Sequence, residues 1–237
     1  MQNKNFCATI CVYGLKEVKF LKKVISAKDA AKLIKSNSTI MVGGFLSCGA
    51  PDKILEAMAE EDIKDLTLIC NDTSIPNKDK GLLIQKEGMV KKVITTHIGT
   101  NPITGKKMQS GEIEIEFYPM GTLVEKIHAK GSGLGGVLTP TGVGTILEEN
   151  KQTIEIKGKK YIFEEPLGAD FAIIYGTTVD KYGNVKYEGA TRNFNTSMAI
   201  AAETVIVQAE KFVDEINPNE VVIPGIFIDY IVKSEEN

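Results

Sequence analysis

The feature that most constrains this chain is a regular alternation between short β-type apolar runs and amphipathic helix-type segments. Residues 39–42 read TIMV; after Pro51 comes DKILEAMAEEDI, with Ile54, Leu55, Met58 and Ala59 on one side; LTLIC follows from Leu66. Strand, helix and strand at this spacing form a βαβ unit, whose crossover helix requires parallel strands and covers one sheet face. The pattern extends both ways. ISAKDAAKLIKSNS predicts a helix capped by Ser26, with Ala30, Leu33 and Ile34 at helical spacing. GLLIQKEG predicts another helix, VKKVITTHIG a strand, and EIEIEF a strand of period two. GTLVEKIHAKG predicts a helix with Gly131 at or just beyond its C-cap, and TIEIKGKKYIFEE a β-hairpin turning at Lys157-Gly158-Lys159. FAIIYG, TVIVQAE and VVIPGIF supply three more β-type runs. The expectation is an α/β fold: an open, mostly parallel sheet with helices on both faces and an antiparallel hairpin section. It forms one domain over residues 24–237, after an N-terminal extension over residues 1–23.

Charge and composition exclude several classes of partner. With 28 basic and 31 acidic side chains, a net charge of −3 and no dense Lys/Arg block, neither nucleic acid nor an anionic membrane is expected. The chain has no Trp and only nine Phe, which argues against an aromatic platform for single-stranded nucleic acid. No 18-residue apolar run is available to span a bilayer. The apolar stretch from Phe6 to Leu15 is followed at once by Lys16 and Lys19 without a small-residue cleavage pattern. It reads as part of the extension, an extra helix or strand, and a cytoplasmic location is expected. Cys7, Cys11, Cys48 and Cys70, with His97 and His128 as the only imidazoles, match neither a disulfide scaffold nor a zinc site. No metal is expected, and Cys70 reads as a buried thiol.

Three glycine-rich stretches could carry chemistry. GSGLGG, from Gly131, matches G-x-G-x-x-G, but a helix-type segment precedes it and Pro140 follows, the reverse of a dinucleotide fingerprint. GTNPITGKK, from Gly99, has five residues between its glycines instead of the four of a P-loop, and Lys107 stands where Ser or Thr should hold magnesium. GGFLSCGAP, from Gly43 to Pro51, lies between a strand and a helix, with Pro51 suited to the helix's first turn. A helix N-terminus there would present N–H groups to a phosphate or an oxyanion; a tight turn without a ligand is the alternative.

GGFLSCGAP preceded by TIMV resembles the signature of family I coenzyme A transferases, in the form carried by their α subunits. NDTSIPNKDKGLL, THIGTNPITGKKM, SGEIEIEFYPMGTLVEKI, GLGGVLTPTGVGT and RNFN (Arg192 to Asn195) are similar to the same family in the same order, so that the resemblance runs from Val24 to Val232.

The resemblance implies a fold of the sugar-phosphate-isomerase-like CoA-transferase type and ping-pong chemistry. A glutamate attacks the acyl-CoA thioester to give an acyl-glutamyl anhydride and CoA thiolate. The thiolate returns to the glutamyl carbonyl, and the incoming acid then collects CoA from the enzyme thioester. The family carries that glutamate on a β subunit, within a Ser-Glu-Asn-Gly-like stretch absent here. Glu112 and Glu188 stand beside glycines but outside such a motif, so no catalytic nucleophile is expected in this chain. The resemblance further implies a β-subunit partner in an assembly of two α and two β chains. CoA is substrate and product rather than a resident cofactor, moving between acetyl- or butyryl-CoA and acetoacetate. Gly43, Gly44, Phe45, Leu46, Ser47, Cys48 and Gly49 become the CoA-binding residues. Met120, where relatives commonly carry a hydrogen-bonding glutamine, would form an oxyanion or substrate wall with Gly121 and Asn71. Asn71-Asp72 also suits an Asx turn, and Arg192 suits either a carboxylate clamp or the partner interface. His97 reads as a hydrogen-bonded core or edge histidine, and His128 as solvated. A noncatalytic acyl-CoA-binding or regulatory subunit, and a sugar-phosphate isomerase, are the alternative functions.

Overall fold

The computed structural model describes residues 21–234. The elements run β1 (Lys23–Ile25), α1 (Ala27–Leu33), β2 (Thr39–Val42), α2 (Asp52–Glu60), β3 (Leu66–Cys70), α3 (Lys80–Gln85), β4 (Val90–Thr95), α4 (Pro102–Gln109) and β5 (Glu114–Phe117). They continue with α5 (Met120–Gly131), β6 (Val137–Thr139), β7 (Thr153–Ile156), β8 (Lys159–Glu164), β9 (Ala169–Asp180), β10 (Val185–Lys186), α6 (Asn195–Met198), β11 (Ala202–Val213) and β12 (Tyr230–Lys233). The main sheet has the order β1-β12-β11-β9-β2-β3-β4-β5, every pair parallel, with β10 antiparallel to β9. A separate antiparallel sheet, β6-β8-β7, is the expected hairpin section.

Period-two alternation divides the sheet's side chains between two cores. Ile40, Val42, Leu68, Cys70, Val93, Ile173, Ile206 and Val232 meet α1, α2 and α3 on one face. Their neighbours Met41, Ile69, Ile94, Ala172, Ile174, Val207 and Ile231 meet α5 and α6 on the other. Both faces of each central strand are therefore apolar, as a sheet covered by helices on both sides demands. Local signals agree: Ser26 caps α1 by accepting from the Asp29 amide at 3.0 Å.

The structure corrects several boundaries. VVIPGIF is no strand: Ile223 makes one isolated bridge to Val185, and Gly225–Phe227 form a 3-10 turn behind Pro224, whose ring cannot donate to a ladder. The strand lies just beyond it, at β12. Pro51 occupies the N-cap position of α2 rather than its first turn. Gly131 is the last residue of α5, with Ser132 as C-cap and Gly133, at φ 68°, taking the left-handed position expected of it. The hairpin turns on two residues, Lys157 and Gly158, both at positive φ. Residues 102–109, set aside as a P-loop, form α4, started by Asn101 accepting from the Ile103 amide at 3.2 Å. Lys23, assigned to the extension, pairs with Tyr230 in the main sheet. The other expectations for the extension, with Cys7 and Cys11, fall on residues 1–20, outside the described residues.

Candidate functional site

In the main sheet the chain moves outward from β2 through β3 and β4 to β5, then returns to β9 on the other side of β2. The order reverses between β2 and β9. In open parallel sheets ligands bind in the crevice at the strands' carboxyl ends at such a point. The Gly43–Gly49 turn leaves β2 there.

The turn is a miniature hairpin. The Phe45 amide donates to the Cys48 carbonyl at 3.0 Å, and the Cys48 amide donates back to Phe45 at 2.9 Å. Leu46 at its tip has φ 51°. Gly43, Gly44 and Gly49 are buried, while Phe45, Leu46 and Cys48 are exposed. A Cβ on Gly43 would lie 1.8 Å from Asn195 Oδ1, so only glycine leaves room for the Asn195 side chain against this backbone.

Polar groups distant in sequence hold the turn. Asp72, beyond β3, accepts from the Leu46 amide at 2.8 Å and from the Ser74 amide at 2.7 Å, the latter being the expected Asx turn. Asn193 accepts from the Gly44 amide at 3.0 Å and donates to the Cys48 carbonyl at 3.1 Å. Asn195 donates to the Gly49 carbonyl and accepts from the Tyr175 amide, both at 3.1 Å. From below, the fully buried Lys80 donates to the Leu46 carbonyl at 3.2 Å and the Gly43 carbonyl at 3.5 Å, and pairs with fully buried Asp79 at 3.1 Å. Leu46, Ser74, Asn77, Asp79 and Asn193 all have positive φ, so backbone strain gathers at this corner. The sequence places Asp72 in an Asx turn and Asn193 and Asn195 in the RNFN stretch, but gives no sign that they or Lys80 brace the glycine turn.

This scaffolding alters what the turn can offer a ligand. The amides of Gly43, Gly44, Phe45, Leu46 and Cys48 all donate to the protein's own acceptors, so the expected amide cradle does not extend over these five residues. The N-terminus of α2 is not open either. Gln208 of β11 places its side-chain oxygen 2.9 Å from the Lys53 amide and 3.3 Å from the Ile54 amide, filling the place foreseen for a phosphate. What the turn presents outward is a short apolar ridge, Phe45-Leu46, with Ser47 and Cys48.

The remaining candidates separate. Asn71 follows β3, one strand from the turn, and its carbonyl accepts from Thr95 and Thr96. Met120 and Gly121 open α5 at the carboxyl end of β5, three strands from β2, or roughly 14 Å by strand spacing. Met120 is exposed, and Gly121 lines a cleft of about 500 Å³ with Pro119, Thr122, Val137 and Leu138. Glu112 precedes β5, at the opposite end of the strands from the crevice, and pairs with Lys107 at 2.5 Å. Glu188 is exposed, and its carbonyl accepts from Thr191 at 2.6 Å. Arg192 and His97 are exposed, so His97 is not in the core. His128 is solvated as expected, 3.4 Å from Glu125. Cys70 is the expected buried thiol, and burial pushes its pKa up to about 12. Among the described residues no group of acidic, His and Cys side chains could hold a metal, and no helix is long and apolar enough to cross a membrane.

A doubly covered parallel sheet with a braced glycine turn at its switch point is one of the α/β folds that place small-molecule sites at that point. Which one is settled by comparison: the profile of the coenzyme A transferase family matches residues 24–234, and the chain belongs to that family as a transferase subunit. It is 49% identical over 213 residues to the acetoacetyl-CoA:acetate/butyrate CoA transferase alpha subunit of Clostridium acetobutylicum, covering 89% of this chain and 97% of that one. It is 46% identical over 217 residues to the acetate CoA-transferase subunit alpha of Escherichia coli K12, covering 91% and 98%. The fold matches the acyl-CoA transferase of E. coli O157:H7 with TM-score 0.81 and 22% identity, covering 90% of this chain and 50% of that one. Glutaconate coenzyme A-transferase of Acidaminococcus fermentans gives TM-score 0.78 and 21% identity, covering 89% and 75%.

Proposed function

We propose that this chain is the α subunit of a heteromeric CoA-transferase that moves CoA between acetyl- or butyryl-CoA and acetoacetate. It works with a β subunit, in an assembly of two α and two β chains, and in the cytoplasm. The observation that carries the reading is the glycine turn at the β2/β9 switch point, braced in one conformation and presenting an apolar ridge. That ridge suits the pantetheine arm better than a free phosphate, because most of the turn's amides are already engaged. Residues 43–49 thus line the CoA path, and CoA enters and leaves as substrate and product. The nucleophilic glutamate belongs to the β subunit: Glu112 is ion-paired at the far end of the sheet, and Glu188 is an exposed residue outside the turn. The reaction proceeds by ping-pong through a glutamyl-CoA thioester, which keeps thioester energy from loss to water. Met120 and Gly121 contribute a substrate wall apart from the turn.

The test is a CoA-transfer assay, acetoacetyl-CoA with acetate or butyrate, on this chain alone and with the β subunit, followed by borohydride trapping of the thioester. Activity only in the mixture, with the reduced residue on the β chain, is expected. Label on Glu188 or Glu112 refutes the placement of the nucleophile. Silence of the mixture with acyl-CoA binding retained favours a noncatalytic binding subunit.

A further inference from the structure

Among the described residues, Leu46 is the only one with an apolar side chain that takes a positive φ; apart from glycine, the others are Asn, Asp, Ser and Lys. An apolar L-residue gains nothing locally from the left-handed region, so its surroundings must hold it there. They do so through both peptide groups that flank it. The Leu46 amide, in the 45–46 peptide, donates at 2.8 Å to Asp72, which is buried. The Leu46 carbonyl, in the 46–47 peptide, accepts from the fully buried Lys80 at 3.2 Å. A residue's φ and ψ are the relation between its two peptide planes, so tying down both planes fixes Leu46.

Lys80 itself is spoken for. An ammonium has three protons, and this one has three acceptors within 3.5 Å: the Leu46 carbonyl, the Gly43 carbonyl and the Asp79 carboxylate. Asp79 in turn accepts from the Ser74 hydroxyl at 2.5 Å, and the Ser74 amide donates to Asp72 at 2.7 Å. The two charged supports of Leu46 are thereby tied to each other, in a ring that is complete without a ligand. Any effect of Lys80 on a ligand passes through the backbone it holds. The peptide gripped by its oxygen carries the Ser47 N–H on the opposite side; no peptide bond among the described residues is cis, so this N–H is directed away from Lys80. The amides of Gly43, Gly44, Phe45, Leu46 and Cys48 are taken by the protein's own acceptors, whereas that of Ser47 has none among the described residues. Beneath the turn two buried carboxylates, Asp72 and Asp79, accompany a single ammonium, a balance that favours a neutral carbonyl oxygen over an anion as the acceptor.

We propose that Lys80 is a positioning residue for CoA transfer: it sets the 46–47 peptide before substrate arrives, so that the Ser47 amide faces an amide carbonyl of the CoA arm. The proposal rests on the CoA-transferase reading, and the experiment separates the two. Lys80→Met, Asp79→Asn and the double variant are compared with wild type as α/β complexes, by thermal unfolding and by kinetics with acetoacetyl-CoA and acetate. Lys80→Met should raise KM for acetoacetyl-CoA about tenfold, because a freed peptide spends about a tenth of its time in the competent orientation, and change kcat less than about twofold. Asp79→Asn leaves the ammonium its two carbonyl acceptors, so KM should move less than about twofold although stability falls. The double variant strands no charge and should regain stability while keeping the raised KM. Affinity then follows the Lys80 ammonium, and stability follows the pairing of charge. A KM that rises equally in Asp79→Asn, or returns with stability in the double variant, overturns the positioning role. Hydrogen exchange over residues 43–49, without CoA, reads the turn directly: slow exchange is expected in wild type and Asp79→Asn, and fast exchange in both proteins lacking Lys80. Equal exchange in wild type and the double variant also overturns the proposal. A wild-type complex that neither binds nor transfers CoA, yet shows this exchange pattern, refutes the functional reading while Lys80 still sets the peptide.

Discussion

Replacing Lys80 with methionine should remove the support beneath the glycine turn. Lys80 and Asp79 are both fully buried and 3.1 Å apart, and the same ammonium reaches the Leu46 and Gly43 carbonyls. Removing one partner of a buried ion pair costs about 3–5 kcal/mol, mostly through the charge left behind. Asp79 keeps two other donors, the Ser74 hydroxyl at 2.5 Å and the Lys80 amide, which places the cost near the lower end, about 3 kcal/mol. For a chain of this size that is roughly a 6–12 °C fall in melting temperature. Urea unfolding followed by circular dichroism measures it, with Asp79→Asn and the double variant completing a cycle. Because the penalty arises from an unpaired charge, the neutral Lys80→Met/Asp79→Asn protein should recover at least about 1 kcal/mol of the loss. A single-variant cost below about 1 kcal/mol, or a double variant as unstable as Lys80→Met, would refute the claim that paired charge is what holds the turn.

Two further perturbations probe neighbouring parts. Gln208→Leu strips the Lys53 and Ile54 amides of their acceptor and Asp52 of its 2.6 Å donor; it should cost about 1–2 kcal/mol in thermal unfolding, and an unchanged midpoint would show that α2 does not need this cap. Iodoacetamide at pH 8 followed by peptide mass mapping should modify exposed Cys48 and spare Cys70, whose thiol is buried and whose pKa is pushed up to about 12; alkylation of native Cys70 at a comparable rate would contradict its burial.

The sheet was legible because its signals are local. The short apolar runs TIMV and LTLIC, and the apolar side of residues 52–60, are contained within single elements and survive as β2, β3 and α2. VVIPGIF misled because its apolar content matches a strand, while Pro224 and Gly225 turn the backbone into a 3-10 bend. The glycine turn was visible in the sequence, but its supports were not. Asp72 lies 26 residues from Leu46, and Asn193 lies 149 from Gly44, so each looks like an ordinary loop residue until the sheet brings them together. Lys80 carries no apolar pattern and reads as a surface lysine. The N-terminus of α2 looked available because its occupant, Gln208, is supplied from 155 residues away in β11. What sequence periodicity cannot reveal is which donors the fold has already used.

The position of β2 has a consequence for how the molecule reaches this shape. β2 pairs on one side with β3, the next strand in the chain, but on the other with β9, where Met41 meets Ala172 across 131 residues. Lys23 of β1 waits longer still, for Tyr230. As the polypeptide is synthesised, β2 to β5 can assemble early through local crossovers, leaving one flank of β2 as an unpaired apolar edge until β9 arrives. Such long-range parallel pairings are slow to form, and an uncovered edge of this kind invites association with other chains. The same seam that creates the crevice is thus the last part of the sheet to be sealed. Recovery of soluble protein should therefore depend more on the timing of the second half of the chain than on the stability of the first.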